Sequence, residues 1–207
     1  MLRMMLAANL GPVRGMVHRS EHRGGVGAFG ADPVLVDVAE DGSEEHAISL
    51  AEALADMDAV ICAIGATRPE DADAVDHLGT VRLIRAAEAA GCLRFLLISS
   101  MGTEDAENAP EPLRPFLVAK RRAEKALSAS TMGWTIVRPG ALTDNGGTGR
   151  VTLAPSLPAG GTVARADVAR VAVAALRLGA GEQQAFDVVA GDTPIDDALL
   201  GLPSSPD

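Results

Sequence analysis

Phe95-Leu96-Leu97-Ile98 is an unbroken apolar run that stops abruptly at Ser99-Ser100-Met101-Gly102, and no other stretch limits the fold so tightly. A strand wetted on one face would alternate polar and apolar side chains. This one does not, so it must be covered on both faces, as in a parallel sheet. Parallel neighbours need long crossovers, usually helices. The polar loop after Gly102 leads through Pro115-Phe116-Leu117-Val118-Ala119-Lys120 into such a helix, over about residues 114–129, which carries both lysines of the protein, Lys120 and Lys125. Ligands of open α/β sheets sit beyond the carboxyl ends of strands, so Ser99 and Ser100 stand where a site is expected. The same serines could equally cap the turn that follows them.

Shorter apolar runs repeat the pattern on either side. Residues 13–17 form one, closed by His18-Arg19 and followed by a glycine-rich loop over 24–30. Residues 33–38 read as a second strand; its Asp37 suits a ligand contact or a turn. A polar stretch with Asp41, Ser43, Glu44 and Glu45 precedes a helix over 48–57, with Leu50, Leu54 and Met57 near one face. Residues 58–65 are a third strand ending on Gly65. A helix over 75–90 carries Leu78, Val81, Leu83, Ile84 and Ala87 at helical spacing and closes at Gly91. Beyond the central run come a strand over 134–138 halted by Pro139-Gly140, a loop over 144–149, a helix over 166–178 and a last strand over 185–189. The alternation predicts a single α/β domain, residues 1–202, with a doubly wound parallel sheet, and a frayed tail, 203–207.

Composition narrows the function. The 207 residues are 47% hydrophobic but only 2% aromatic, with no tyrosine, so the core is built from Ala, Val, Leu and Ile. A net charge of −10 excludes nucleic acid and anionic membrane as main partners, since both need clustered positive charge. No apolar run approaches the roughly 18 residues of a membrane span. Met1 to Ala8 is too short for a signal peptide, and no cleavage pattern follows before Pro12. Cys62 and Cys92 sit in apolar contexts, as reduced packing residues of a cytoplasmic protein do.

Several charged positions have plain readings. Glu70, Asp71, Asp73 and Asp76 form a solvated, helix-starting acidic turn. Asp167 meets the positive end of its helix, and Arg138 suits an ion pair or a substrate contact. Lys120 shares a helix face with Phe116, Ala123 and Leu127, whereas Arg121, Arg122, Glu124 and Lys125 are expected to face water. His18-Arg19-Ser20-Glu21-His22 spells the inverted zinc-protease signature. That chemistry needs both histidines on one helix and a third ligand; here the run leaves a strand into Arg23-Gly24-Gly25, so no metal is expected.

The ordered set Val36-Asp37-Val38, Asp58 to Ile61, Gly79 with Leu83-Ile84, Arg94 to Gly102, Ala119 to Glu124, Ile136 to Gly140 and Arg165 to Ala169 resembles the atypical short-chain dehydrogenase/reductase family, the NAD(P)-binding branch with NmrA-like and biliverdin/flavin reductase-like members. The resemblance spans roughly residues 5 to 191 and implies a Rossmann-like fold with roles for individual residues. Arg19 would meet the adenosine 2′-phosphate and favour NADP, with NAD the alternative. Asp37 and Val38 would flank the adenine, and Ala63, Ile64 and Gly65 would line the dinucleotide. Ser99 and Ser100 would face the nicotinamide end as catalytic candidates with Lys120, which would reach the nicotinamide ribose. Pro139, Gly140 and Leu142 would close over the nicotinamide.

Two features depart from the family pattern. Its first strand and glycine-rich turn are absent before Met1, which reads as a downstream start or a truncation. The flanking strands, 13–17 and 59–64, should then either pair directly or leave a gap about two strand spacings, ~10 Å, wide. The other departure is Phe116, which stands where the family carries a catalytic tyrosine. The resemblance implies an NADPH-linked reductase of a small molecule, transferring hydride without that tyrosine. The alternatives are a non-catalytic NADP(H)-binding sensor and a form that binds no cofactor. A monomer or weak homodimer is expected.

Overall fold

Strand and helix alternate along the chain as the apolar runs predict. The computed structural model describes residues 1–39 and 44–203. Asp41 and Ser43, the side chains of Glu44 and Glu45, and tail residues 204–207 lie outside the described residues. Helix α1 (Leu2–Ala7) is followed by strand β1 (Arg14–Val17), short helix α2 (Arg23–Gly27) and β2 (Asp32–Leu35). Helix α3 (Glu44–Leu54) leads into β3 (Ala59–Cys62), and α4 (Thr80–Ala89) into β4 (Arg94–Ile98). Helix α5 (Arg114–Ser128) precedes β5 (Gly133–Pro139), then the short strands β6 (Ala141–Thr143), β7 (Arg150–Ala154) and β8 (Thr162–Ala164). Helix α6 (Arg165–Leu178), β9 (Gln184–Ala190), β10 (Thr193–Pro194) and α7 (Ile195–Leu200) follow.

Strands β3, β4, β5 and β9 lie side by side and parallel, the Rossmann-like core. Beyond the parallel set, β7 joins β9 antiparallel and β10 joins β7 antiparallel, so the order is β10-β7-β9-β5-β4-β3. The short β6 and β8 pair separately. Alternate residues of β4 serve opposite layers. Phe95 and Leu97 pack with Leu54, Leu83, Ile84 and Leu127, whereas Leu96 packs with Val137, Val171, Phe186 and Val188. That is why β4 is apolar throughout, each such burial being worth about 1.5–3 kcal/mol.

β1 and β3 do not pair: among the described residues β1 pairs with β2 alone and β3 with β4 alone, which leaves a gap between them. The β1–β2 pair is held by its cover instead. Val36 and Val38 sink into the cluster with Leu50, Leu54 and Leu83, and Met16 and Val34 pack against it. Arg14 Nη1 donates to the carbonyls of Glu52, Ala53 and Ala55, at 3.3, 3.2 and 2.6 Å. Those carbonyls lie at the end of α3, where no further helical turn supplies N–H groups to donate to them.

Two local expectations are corrected. The glycine-rich loop over 24–30 contains helix α2 rather than open loop. Val26 anchors it: a Cβ on Gly15 would lie 2.6 Å from Val26 Cγ1, so the bare strand backbone at 15 lets the helix dock. The helix over 75–90 is α4 preceded by a π-helical segment, Asp73–Gly79. The wider π turns rotate Leu78 outward, to 40% exposure. They carry Gly79 against β2's exit, where a Cβ would sit 3.1 Å from both Val38 Cγ2 and the Val38 carbonyl oxygen.

Candidate functional site

Three strand ends open into one cavity of about 1100 Å³. From β1 it takes His18 and Arg19; from β2, Val36, Asp37 and Val38; from β3, Ala63, Ile64 and Gly65. Six of the expected cofactor residues are therefore brought together around one space. Asp37 Oδ1 accepts from the backbone N–H of Ala39 at 3.0 Å and holds the turn after β2. Arg82 Nη1 donates to the Val38 carbonyl at 3.0 Å, which fixes the same turn from α4. The Arg19 side chain is 61% exposed, and its nearest ionic partner is Glu21 at 3.8 Å. It can therefore turn toward an anion at the mouth of the cavity.

Lys120, on α5, does not line the cavity but stands beside Gly65, which does. Its Nζ lies 2.7 Å from Asp76 Oδ1, and Asp76 Oδ2 accepts from the backbone N–H of Ala66 at 2.9 Å. A Cβ at Gly65 would be 3.6 Å from Asp76 Oδ1 and 3.9 Å from Lys120 Nζ. Asp76 is 2% exposed, which corrects its reading as part of a solvated acidic turn. The π-helical segment turns it inward, to the part-buried ammonium of Lys120. Cys62, at the end of β3, is free and buried, and burial raises its thiol pKa.

The remaining candidates lie beyond β4 and β5 and do not line that cavity. Ser99 is buried, and its hydroxyl donates to Glu124 Oε1 at 2.6 Å. Thr103 donates to the same oxygen at 2.9 Å, and Arg138 grips both carboxylate oxygens, from Nε at 3.0 Å and Nη2 at 2.9 Å. Glu104 takes Arg138 Nη1 at 2.8 Å. Burial disfavours the Arg138 charge, but Glu124 and Glu104 outweigh it and raise its pKa. Glu124, expected to face water, is thus only 1% exposed. Arg138 makes the ion pair that was one of its two readings. The Ser100 hydroxyl donates to the Met101 carbonyl at 3.1 Å.

Pro139 accepts the Met101 N–H at 3.0 Å, joining the ends of β4 and β5. Gly140 passes so close to residue 161 that a Cβ would lie 2.7 Å from the Gly161 carbonyl oxygen. Leu142, on β6, is 40% exposed. Asp167 is buried, and it accepts from the N–H groups of Thr148 and Gly149, each at 2.8 Å, and from Arg170. Burial opposes its charge, but these donors outweigh burial and hold its carboxyl below the usual range. It anchors the 147–149 loop besides starting its helix. His18 and His22 stack edge to face at 5.6 Å, and among the described residues no group of three or more His, Cys, Asp or Glu could hold a metal. No described helix is long and apolar enough to cross a membrane.

The family described as NAD(P)H-binding matches residues 1–178. A Bacillus subtilis protein described as the uncharacterized sugar epimerase YhfK is 38% identical over 193 residues, covering 92% of this chain and 87% of its own. Among solved structures, a Bacillus halodurans protein assigned as an NAD-dependent epimerase/dehydratase matches with a TM-score of 0.85 at 32% identity, over 96% of this chain and 92% of that one. The anaerobillin reductase ChuY of Escherichia coli matches with a TM-score of 0.74 at 24% identity, over 92% and 91% of the two chains; at that identity the likeness is one of fold.

Proposed function

Because this chain belongs to the NAD(P)H-binding family, we propose that it binds NADP(H) in the cavity at the ends of β1, β2 and β3 and reduces a small molecule in the cytoplasm. The observation that carries this reading is the Lys120–Asp76 pair, 2.7 Å apart beside Gly65 at the cavity mouth. An ammonium has three N–H donors, which suit the hydroxyls of a sugar, and the Asp76 carboxylate, 2.7 Å behind, pairs with its charge. Across the mouth, the exposed Arg19 guanidinium suits a phosphate dianion such as the adenosine 2′-phosphate. Asp37 and Val38 would flank the adenine, with Ala63, Ile64 and Gly65 along the dinucleotide. Ser99, Ser100, Pro139, Gly140 and Leu142 would surround the nicotinamide end.

A bound nicotinamide supplies the hydride; the protein's own residues position it and shield it from water. Phe116 has no proton to give, and the Ser99 proton is already directed at Glu124. The proton that completes a reduction would therefore come from solvent or from the substrate. Calorimetric titration with NADPH and with NADH tests the binding half: micromolar NADPH affinity, weaker for NADH, is expected, and a folded protein that releases no heat with either refutes it.

The commitment of Ser99 to Glu124 favours a second reading, a sensor that binds NADP(H) without turnover. Following NADPH oxidation against quinones, flavins, aldehydes and nucleotide sugars separates the two. Saturable oxidation supports the reductase, and binding with no oxidation supports the sensor.

A further inference from the structure

The charge around the cavity runs against the charge of the chain. The protein carries a net −10. The described residues that line the cavity nevertheless include Arg14, Arg19 and Arg68 against Asp37 and Asp71, together with His18 and His22. Most of these groups are engaged within the fold. Arg14 is tied to carbonyls at the end of α3, and Arg68 Nε donates to Asp71 at 2.8 Å. Asp37 accepts from the N–H of Ala39. Arg19 has only the loose Glu21 contact, and the contact each imidazole makes, among the described residues, is with the other.

Local backbone geometry sets these three side chains together. The Val36 N–H donates to the Val17 carbonyl at 2.9 Å, so the chain leaves β1 alongside the end of β2. His18 and Arg19 come next, and Arg19 is still extended, at φ −133° and ψ 136°. Ser20–His22 then close a single 3₁₀ turn, with the His22 N–H donating to the Arg19 carbonyl at 3.1 Å. The turn sets the His22 ring edge to face against His18, centroids 5.6 Å apart. Both rings and Arg19 line the same cavity.

Imidazole is the ordinary side chain whose charge changes between about pH 5 and 8. Two imidazolium rings 5.6 Å apart repel each other, and a doubly charged anion beside them removes that repulsion. A phosphomonoester is such an anion, with about −1.5 to −2 charges at neutral pH. The diester phosphates of a dinucleotide bridge carry less each. The other charged groups at this end come from every neighbouring element. Glu21, on the turn, faces Arg19 at 3.8 Å, and Arg23, on α2, donates to the Pro33 carbonyl. Asp37 closes β2, and the Arg68–Asp71 pair stands beyond β3. These groups are the same whichever nucleotide binds, so they do not tell NADPH from NADH.

We propose that His18 and His22 join Arg19 in a proton-linked clamp for the 2′-phosphate of NADP(H), and that seating this phosphate draws protons from solvent onto the two rings. The inference rests on the reading that this cavity binds NADP(H). It adds that the preference for NADP(H) over NAD(H) is set by pH and strengthens as the pH falls toward the imidazole range. No bond between heavy atoms changes: the buffer gives up the protons, the ring nitrogens take them, and the phosphate dianion balances the charge.

Calorimetry of the full chain with NADPH, in buffers of different ionisation enthalpy, counts the protons taken up; NADH is the control. Net uptake of about one proton is expected near pH ~7.5, where imidazole is mostly neutral and a phosphomonoester mostly dianionic, with no uptake for NADH. The ratio of NADPH to NADH affinity should rise about three- to tenfold from pH ~8 to pH ~6.5. In the double variant His18→Gln, His22→Gln both the uptake and the rise should vanish. NADPH binding without proton uptake, equal uptake with NADH, or uptake that survives in the double variant overturns the clamp and leaves the cofactor reading standing. A folded protein that releases no heat with either nucleotide refutes the cofactor reading, and the clamp with it.

Discussion

Removing the Glu124 carboxylate should be among the most damaging single changes this chain can undergo. The carboxylate accepts five hydrogen bonds, from Ser99, Thr103, two nitrogens of Arg138 and, at 3.2 Å, Arg121 Nη1. Glu124→Ala leaves the Arg138 guanidinium, 4% exposed, with only the outer partner Glu104. Breaking a buried pair from one side costs about 3–5 kcal/mol, because the surviving charge stays desolvated. A domain of this size loses about 2–4 °C of melting temperature per kcal/mol, so the midpoint should fall by roughly 6–20 °C.

The double variant Glu124→Leu with Arg138→Met removes both charges and keeps apolar volume, so it should recover most of that loss. Arg138→Met alone should cost less than Glu124→Ala, since Ser99, Thr103 and Arg121 still satisfy the carboxylate. Thermal and urea unfolding of the wild type, both single variants and the double variant give the coupling directly. A fall below about 2 °C for Glu124→Ala, or a double variant that loses the sum of the singles, would refute the argument that the cluster is one desolvated unit.

Arg19→Glu should weaken NADPH by about 10- to 100-fold and leave NADH nearly unchanged, because it opposes only the extra phosphate; calorimetry with both nucleotides checks this. Asp76→Asn removes the anion that aims Lys120, so NADPH affinity should drop about tenfold with a modest loss of stability, read by calorimetry and thermal melts together. Asp167→Asn should be destabilising in a pH-dependent way. The folded-state carboxyl pKa lies below its unfolded value of ~3.9, so the charge stabilises above that pH and ceases to as pH falls through the folded value. The difference in melting temperature between wild type and variant should be full at pH 6–7 and close as the pH falls through the folded-state value, below ~3.9. A constant difference across that range would count against it.

The layers were legible because period and length are set by backbone geometry. Phe95 to Ile98 could only be a strand buried on both faces, and the paired clusters around it are the consequence. Whether β1 would pair with β3 or stand apart from it was open in the sequence, and the two strands do not pair. What escaped was the far edge. β6, β7, β8 and β10 are short, and β7 is buried on few of its positions, so nothing in the local sequence separates them from loop. Helix α2 escaped for a different reason, since three glycines argue against a helix until Val26 is seen docked on Gly15.

At the site, the two carboxylates that matter most were hidden by a rule of composition rather than by a lack of signal. Asp76 stands at helical spacing from Thr80, Leu83, Ile84 and Ala87, all buried, and Glu124 stands one turn beyond Lys120 and beside Ala123 and Leu127. Helical spacing is compatible with an inward place for both; the expectation that carboxylates stay in water put them outside. Satisfaction would have decided between the two. A lysine on the inward face of α5 and an arginine inside an apolar strand each demand a buried anion. The carboxylates already on inward stripes are the ones that can reach them without leaving the core. Lys120 with Asp76 and Arg138 with Glu124 are therefore the same solution reached twice, and only the first stands beside Gly65 of the cavity lining.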